Sequence, residues 1–265
     1  MNPIARVMIV GNFAKDEIRT YRRELEERLR KAGIEIVDAP GEADSFVVLG
    51  GDGTMLASVH EYRKFGRPFF GINFGHKGFL MNEREEDLID RFISFRFRVF
   101  SFSLLDLMVT AKEGAFRDQA VNDVYVKPLR SAGSCKINVM VNGVVFAENV
   151  MGDGIIASTA LGSTAYNLSA GGSAVKAGLD LICLTPLNVH TPVQIKPTVW
   201  PADTIIEIEV LEDDVRRAIA VCDGREYADA KRVRIRQSRK RFKLALADGQ
   251  DFTERLVSKI MKVQW

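Results

Sequence analysis

The chain has 265 residues, 46% hydrophobic and 27% charged, with a formal net charge of +2 at neutral pH. These are the figures of a globular protein long enough to bury a large core, and they exclude a disordered or fibrous chain. No stretch approaches the roughly 18 consecutive apolar residues of a membrane-spanning helix, and residues 1–10 lack the apolar run and small-residue cleavage site of a secretory signal, so a cytoplasmic location with no membrane partner is expected.

In chain order, residues 7–10 predict a short apolar strand. Ile18, Tyr21, Leu25, Leu29 and Ala32 then recur at three- and four-residue steps, one face of a helix that ends before Gly33. Residues 34–37 predict a second strand, 46–49 a third, 55–65 a helix closed by Gly66, and 68–72 a fourth strand. Leu88, Ile89, Phe92 and Ile93 mark one more helix. Strands alternating with helices predict a parallel sheet covered on both faces.

From about residue 97 the hydrophobic period falls to two, with Gly, Asn and Asp at short intervals, so a β-rich domain is expected. Residues 139–141, Asn142-Gly143 and residues 144–146 spell strand, turn and strand, the strongest short-range hairpin signal. Residues 204–211 and 218–222 alternate in the same way, as the strands of a sandwich do. Between 231 and 243 stand eight basic residues and no acid, interleaved with Val233 and Ile235. That run reads either as a solvated strand face or as a cationic stripe for polyanions, and no nucleic-acid partner is expected. Phe252, Leu256, Ile260 and Met261 return to helical spacing. Cys135, Cys183 and Cys222 lie far apart without a CxxC or a nearby His pair and read as reduced core thiols. The organisation expected is an α/β domain over 1–98, an all-β sandwich over 99–248 that binds a dinucleotide, and a C-terminal helix over 249–265 that packs back on the first domain.

Two segments carry chemistry. An apolar strand runs straight into Gly50-Gly51-Asp52-Gly53-Thr54 and then a helix. Glycines there let backbone N–H groups converge on an anion, and the helix start adds more unpaired donors. A lone carboxylate in such a nest repels phosphate unless it meets a hydroxyl or a metal, which makes Asp52 a candidate to deprotonate an attacking alcohol. The bland alternative is a tight turn with Asp52 capping the helix. The second segment, Gly152-Asp153-Gly154 followed by Gly162-Ser163-Thr164-Ala165-Tyr166-Asn167-Leu168-Ser169-Ala170-Gly171-Gly172, sets hydroxyls, amides and glycines after a buried strand. It suits a sugar or a base, or else it is a helix start at Ser163-Thr164 with a glycine C-cap.

In this order and spacing, together with Gly71-Ile72-Asn73, Gly75, Gly78-Phe79-Leu80 and Asn122-Asp123, the chain resembles the NAD kinase family over nearly its whole length. Gly50 to Thr54 alone also resembles diacylglycerol and sphingosine kinases, and phosphofructokinases have a related loop; the second segment with Asn122-Asp123 is what singles out NAD kinases. The resemblance implies the NAD kinase-like fold of the diacylglycerol-kinase-like superfamily. It also implies phosphoryl transfer to the adenosine-ribose 2′-hydroxyl of NAD, with ATP or polyphosphate as donor, Mg²⁺ or another divalent cation, and assembly as a homodimer or homotetramer.

Carried over by position, the resemblance makes Asp52 the general base and lays Gly53 against the nucleotide. Asn122 and Asp123 hold ribose hydroxyls, although polar residues there also suit an edge-strand turn. Asp153 lies at the nicotinamide end, and Thr164, Ala165, Tyr166, Asn167, Leu168 and Ser169 wrap the adenine and its ribose. Phe79, Asn188 and Arg225 line the pocket. His60, His76 and His190 lack metal-ligand spacing, so no protein metal site is expected.

The chain departs from the family at several places. Ala160-Leu161 stands where Pro-Thr or Pro-Ser is usual, which relaxes a proline-stiffened loop. Ser173-Ala174 replaces Pro-Ile, Lys77 replaces Leu, and Arg225 replaces Gln, the last two adding cations near the nucleotide. A non-catalytic NAD(H)-binding sensor is the competing reading of a different class, against which Asp52 weighs because binding alone needs no base. A lipid kinase would rest on Gly50 to Thr54 alone.

Overall fold

The computed structural model describes residues 4–75, 78–130, 133–191 and 195–261, the last four of these by backbone alone. His76 and Lys77 lie outside the described residues. In chain order the elements are β1 (Arg6–Gly11), α1 (Asp16–Lys31), β2 (Glu35–Ile36), β3 (Ser45–Gly50), α2 (Asp52–Tyr62), β4 (Pro68–Asn73), α3 (Leu88–Ile93), β5 (Phe97–Ala111), β6 (Gly114–Ala120), β7 (Asp123–Pro128), β8 (Cys135–Val141), β9 (Val144–Gly152), β10 (Gly154–Thr159), α4 (Tyr166–Ser169), β11 (Leu181–Leu187), β12 (Thr198–Pro201), β13 (Ile205–Leu211), β14 (Ala218–Cys222), β15 (Arg225–Tyr227), β16 (Ala230–Ala247) and α5 (Phe252–Met261). They form two compact units, Met1–Phe102 with Phe242–Trp265, and Ser103–Arg241.

In the first unit β2, β1, β3 and β4 pair in parallel, in that order, and the end of β16 adds to β4 through Lys243 opposite Pro68. Every residue of β3 is buried, the mark of a parallel strand covered on both faces. α1 turns Ile18, Leu25 and Leu29 inward, with acids in its first turn and bases in its last, both favourable to the helix dipole. Gly33 follows it at φ +76°, the left-handed conformation that a glycine closing a helix adopts. α2 starts at Asp52, three residues before the apolar positions that announce it, and gives way to a tight turn at Arg63–Phe65 that Gly66 closes. β2 shrinks to two residues. In α5, Phe252 packs edge-on against Phe100 and Phe102, with ring centroids 5.4 and 5.1 Å away.

The second unit is a sandwich. One sheet runs β12, β11, β10, β7, β14, β15; the other holds β16, β13, β8 and β9, with the β5–β6 hairpin joined to β16. Their inward faces share one core, in which Val124, Ile155 and Ile182 of the first sheet meet Ile137, Ile206 and Ile235 of the second. The predicted hairpin is β8–β9, with Val141 opposite Val144 and Asn142 and Gly143 at φ 51° and 77°. Two successive positive φ values give the turn whose twist matches the strands.

The basic run belongs to β16, with Val233 and Ile235 buried. Arg232 and Arg234 stand opposite Glu209 and Glu207 and pair with them, while Lys231, Arg236 and Arg241 pair with Asp213, Asp106 and Asp180. Five of its eight bases are thus matched by acids, which favours the strand face over the cationic stripe. All three cysteines are buried and unpaired, and burial pushes the Cys135 thiol up to about 11. No helix among the described residues is long and apolar enough to cross a membrane.

Candidate functional site

β3 delivers Gly50 into the start of α2, and Thr54 leaves no room at Gly50 for a Cβ, which would lie 2.3 Å from its hydroxyl. Gly51 is the N-cap and makes no side-chain cap, so Asp52 sits inside the first turn and does not cap its helix. Its carboxylate reaches instead to a distant segment. Oδ2 accepts the Phe79 N–H at 2.7 Å and Oδ1 accepts the Leu80 N–H at 3.0 Å. Gly78 lies so close that a Cβ there would come within 2.3 Å of Oδ1. Gly53 is exposed, and no atom lies within 4 Å of where its Cβ would be.

The segment that grips Asp52 is itself held from behind. Asn82 donates to the Gly71 and Ala245 carbonyls and accepts from the Ala247 N–H. Gln250 accepts from the Glu83 N–H, and Arg255 donates to the Phe79 carbonyl at 2.8 Å. Phe79 is only 6% exposed, so its ring is part of the core, while its backbone N–H meets Asp52. Burial pulls the Arg255 pKa below its ordinary value, against the opposing charges of Glu83, Asp52 and Asp251.

In the second unit Asp123 opens β7, which lies between β10 and β14, so Asn122-Asp123 is not an edge turn. A residue the sequence did not single out organises this pair. The Asp223 carboxylate accepts the N–H groups of Val121, Asn122 and Asp123 at 2.5, 2.9 and 3.1 Å. Asp223 and Gly224 take φ values of 44° and 85°, a tight turn between β14 and β15 whose only trace in sequence is the Asp-Gly pair. Asp123 is 7% exposed, and burial first, then the charge of Asp223, pushes its pKa up to about 7.

The loop after β10 locks onto the same place. Thr159 donates from its hydroxyl to the Val121 carbonyl, and a Cβ on Gly162 would meet the Asn122 carbonyl oxygen at 2.1 Å. Ala160 and Leu161 are buried, with Gly162 N–H bonded to Thr159 and the Ser163 hydroxyl to the Ala160 carbonyl. Hydrogen bonds tie this loop where the family carries a proline. Thr164 is buried, and Ala165 is partly so. α4 is a single turn carrying Tyr166, Leu168 and Ser169 outward, with Tyr166 edge-on to Tyr125.

Asn167 turns inward. It is fully buried, donates to the Ser163 and Ser173 carbonyls and accepts from Thr185, so it staples the loop. Asp153 and Asn188 are exposed and bonded to each other at 2.7 Å. Arg225 is held within the second unit. Its guanidinium is engaged by Asp118 at 2.7 Å and by the Gln119 carbonyl at 3.0 Å, and Tyr227 donates to the same carboxylate. Burial works against that charge, and the groups around it, Asp118 foremost with Cys222 and Asp223, together outweigh burial and raise the pKa. No three His, Cys, Asp or Glu side chains converge as a metal site among the described residues.

Comparison with known proteins agrees with this arrangement. A family profile described as ATP-NAD kinase N-terminal domain matches residues 38–92, and one described as ATP-NAD kinase C-terminal domain matches 121–247. An NAD kinase of Xylella fastidiosa (strain 9a5c) is 32% identical over 261 residues, 97% of this chain and 96% of that protein. One from Rhizobium meliloti is 35% identical over 210 residues, 79% of this chain and 81% of the other. Among solved structures, yeast NADH kinase complexed with NADH superposes with a TM-score of 0.83 at 20% identity, covering 100% of this chain and 89% of that one. An NAD kinase from Archaeoglobus fulgidus in complex with ATP gives 0.78 at 24% identity, covering 97% and 99%.

Proposed function

The chain belongs to the NAD kinase family, and from that premise we propose that it transfers a phosphoryl group from ATP or polyphosphate to the adenosine-ribose 2′-hydroxyl of NAD, making NADP, with Asp52 as general base. The observation that carries the reading is the Asp52 carboxylate, aimed by two backbone N–H groups beside the open Gly53. Each carboxylate oxygen keeps a lone pair beyond the amide it accepts. The hydroxyl proton passes to one of them as the ribose oxygen bonds to phosphorus and the donor's bridging P–O bond breaks. Because such transition states are loose, positioning and charge stabilisation contribute more than base strength.

Asn122 and Asp123 would hold ribose hydroxyls, Asp153 and Asn188 the nicotinamide end, and Thr164, Ala165, Tyr166, Leu168 and Ser169 the adenine and its ribose. Asn167 and Arg225 would act one step back, through the loop and through Asp118. Mg²⁺ ordinarily binds through substrate phosphates with one or two carboxylates, which fits a lone Asp52, so the divalent ion is assigned to the donor as part of the substrate. The two solved complexes, one with NADH and one with ATP, support a dinucleotide acceptor and ATP as donor. The three unpaired thiols suit a reducing compartment such as the cytoplasm. Assembly as a homodimer or homotetramer is proposed from the family alone.

The test is NADP formation by the purified protein with Mg²⁺, supplying ATP and polyphosphate separately, read with an NADP-specific dehydrogenase. Asp52→Asn is expected to lower turnover by about 10² or more while the NAD Kd changes little. Parallel loss of both would overturn the role given to Asp52. NAD binding without product from either donor would favour the sensor.

A further inference from the structure

The peptide joining Phe79 to Leu80 is held at both ends. Its N–H donates to Asp52 Oδ1 and its carbonyl accepts from Arg255 Nη1. A peptide unit is planar, with its C=O and N–H on opposite sides. Whatever fixes the carbonyl therefore fixes the direction of the N–H. A charged donor on the carbonyl also makes the stronger kind of hydrogen bond and polarises the unit, strengthening the N–H as a donor.

We infer that Arg255 is a positioning residue for phosphoryl transfer, setting the Asp52 carboxylate through the 79–80 peptide. The inference rests on the reading of Asp52 as base. Arg255 is well supported for the task. Its second nitrogen bonds to Gln250 Oε1, and that side chain is pinned by both backbone groups of Glu83. Phe252, one turn earlier on α5, anchors the helix between Phe100 and Phe102. Three carboxylates, Glu83, Asp52 and Asp251, favour its charged form. Arg255 thus reaches Asp52 by its hydrogen bond to the 79–80 peptide and by the attraction of its charge for the carboxylate.

A mere glue between α5 and the segment around Phe79 would give the same contacts, so the test must read coupling to Asp52. Arg255→Met, Arg255→Lys, Asp52→Asn and the double variant of Asp52→Asn with Arg255→Met are compared for kcat, KM, NAD Kd and melting temperature. Arg255→Met is expected to lower kcat about a hundredfold, the scale of a misplacement near 1 Å, with the NAD Kd within about twofold. Arg255→Lys, which keeps a charged donor, recovers most of the loss. In the Asp52→Asn background Arg255→Met changes the residual kcat by less than about twofold. An equal effect in both backgrounds, or unchanged kcat, overturns the inference while leaving Asp52 as base. If Asp52→Asn alone leaves kcat intact, both fall. Should Arg255→Met fail to fold, Arg255→Gln, which removes the charge and keeps a polar side chain, completes the same cycle in the two backgrounds, with the same loss expected in the parent and the same insensitivity in Asp52→Asn.

Discussion

Asp223 bonds three consecutive amides while standing beside a second buried carboxyl. The consequence is a pH-dependent cost at Asp123. Its folded pKa is raised to about 7 from the ordinary 3.8 of the side chain, so the folded state holds a proton that the unfolded chain releases. Its contribution to stability is complete below the unfolded value and is lost as pH rises toward about 7. Asp123→Asn removes the titration. The melting temperature of that variant, relative to the parent, is expected to rise between pH 5 and pH 8; a difference that ignores pH would refute the assignment. At this scale the sequence was legible where chemistry and neighbours coincide, as in Gly50 to Thr54. It was opaque where a side chain works at long range. Asp223 acts on a residue 101 positions away and Arg255 on one 176 away, and no local pattern marks either.

Among elements, the loop from Thr159 to Gly172 has the least slack. Gly162 faces a backbone carbonyl that cannot rotate aside, because Thr159 ties the same strand entry at Val121. Gly162→Ala is expected to destabilise by about 1–3 kcal/mol, the usual range for overpacking, and to weaken NAD binding as Asn122 is displaced. Differential scanning calorimetry and NAD titration check both, and an unperturbed affinity would detach this loop from the dinucleotide. Strands and helices were legible here through their periods. The misses have local causes. α2 begins early because glycine and Asp in its first turn are poor helix formers whose placement tertiary contacts decide. β16 reaches 18 residues because Arg239-Lys240-Arg241 breaks the apolar alternation without breaking the strand.

For the molecule as a whole, five of the eight bases clustered on β16 are matched by acids that stand beside them in space. Arg232 and Arg234 meet Glu209 and Glu207 in register, an arrangement that composition could not distinguish from a polyanion site. Replacing both arginines with Gln is therefore expected to shift stability by less than about 1 kcal/mol, as for exposed pairs. The KM for ATP and for polyphosphate should stay within about twofold; a large rise in either would reinstate the cationic stripe. The layered architecture followed from the change of period near residue 97 and the C-terminal helix was expected to pack back on the first domain, but the end of β16 that returns with it was not, since nothing in a linear pattern shows a strand returning.

That discontinuity orders events during synthesis. The first unit needs residues from 242 onward, which supply the strand beside β4, the Ala245 and Ala247 partners of Asn82, and Gln250 and Arg255 behind Phe79. A ribosome that has made Asp52 has made the proposed base but not its setting. The segment that grips the aspartate gains these supports only when the last helix has emerged, so an incomplete chain carries the motif without them.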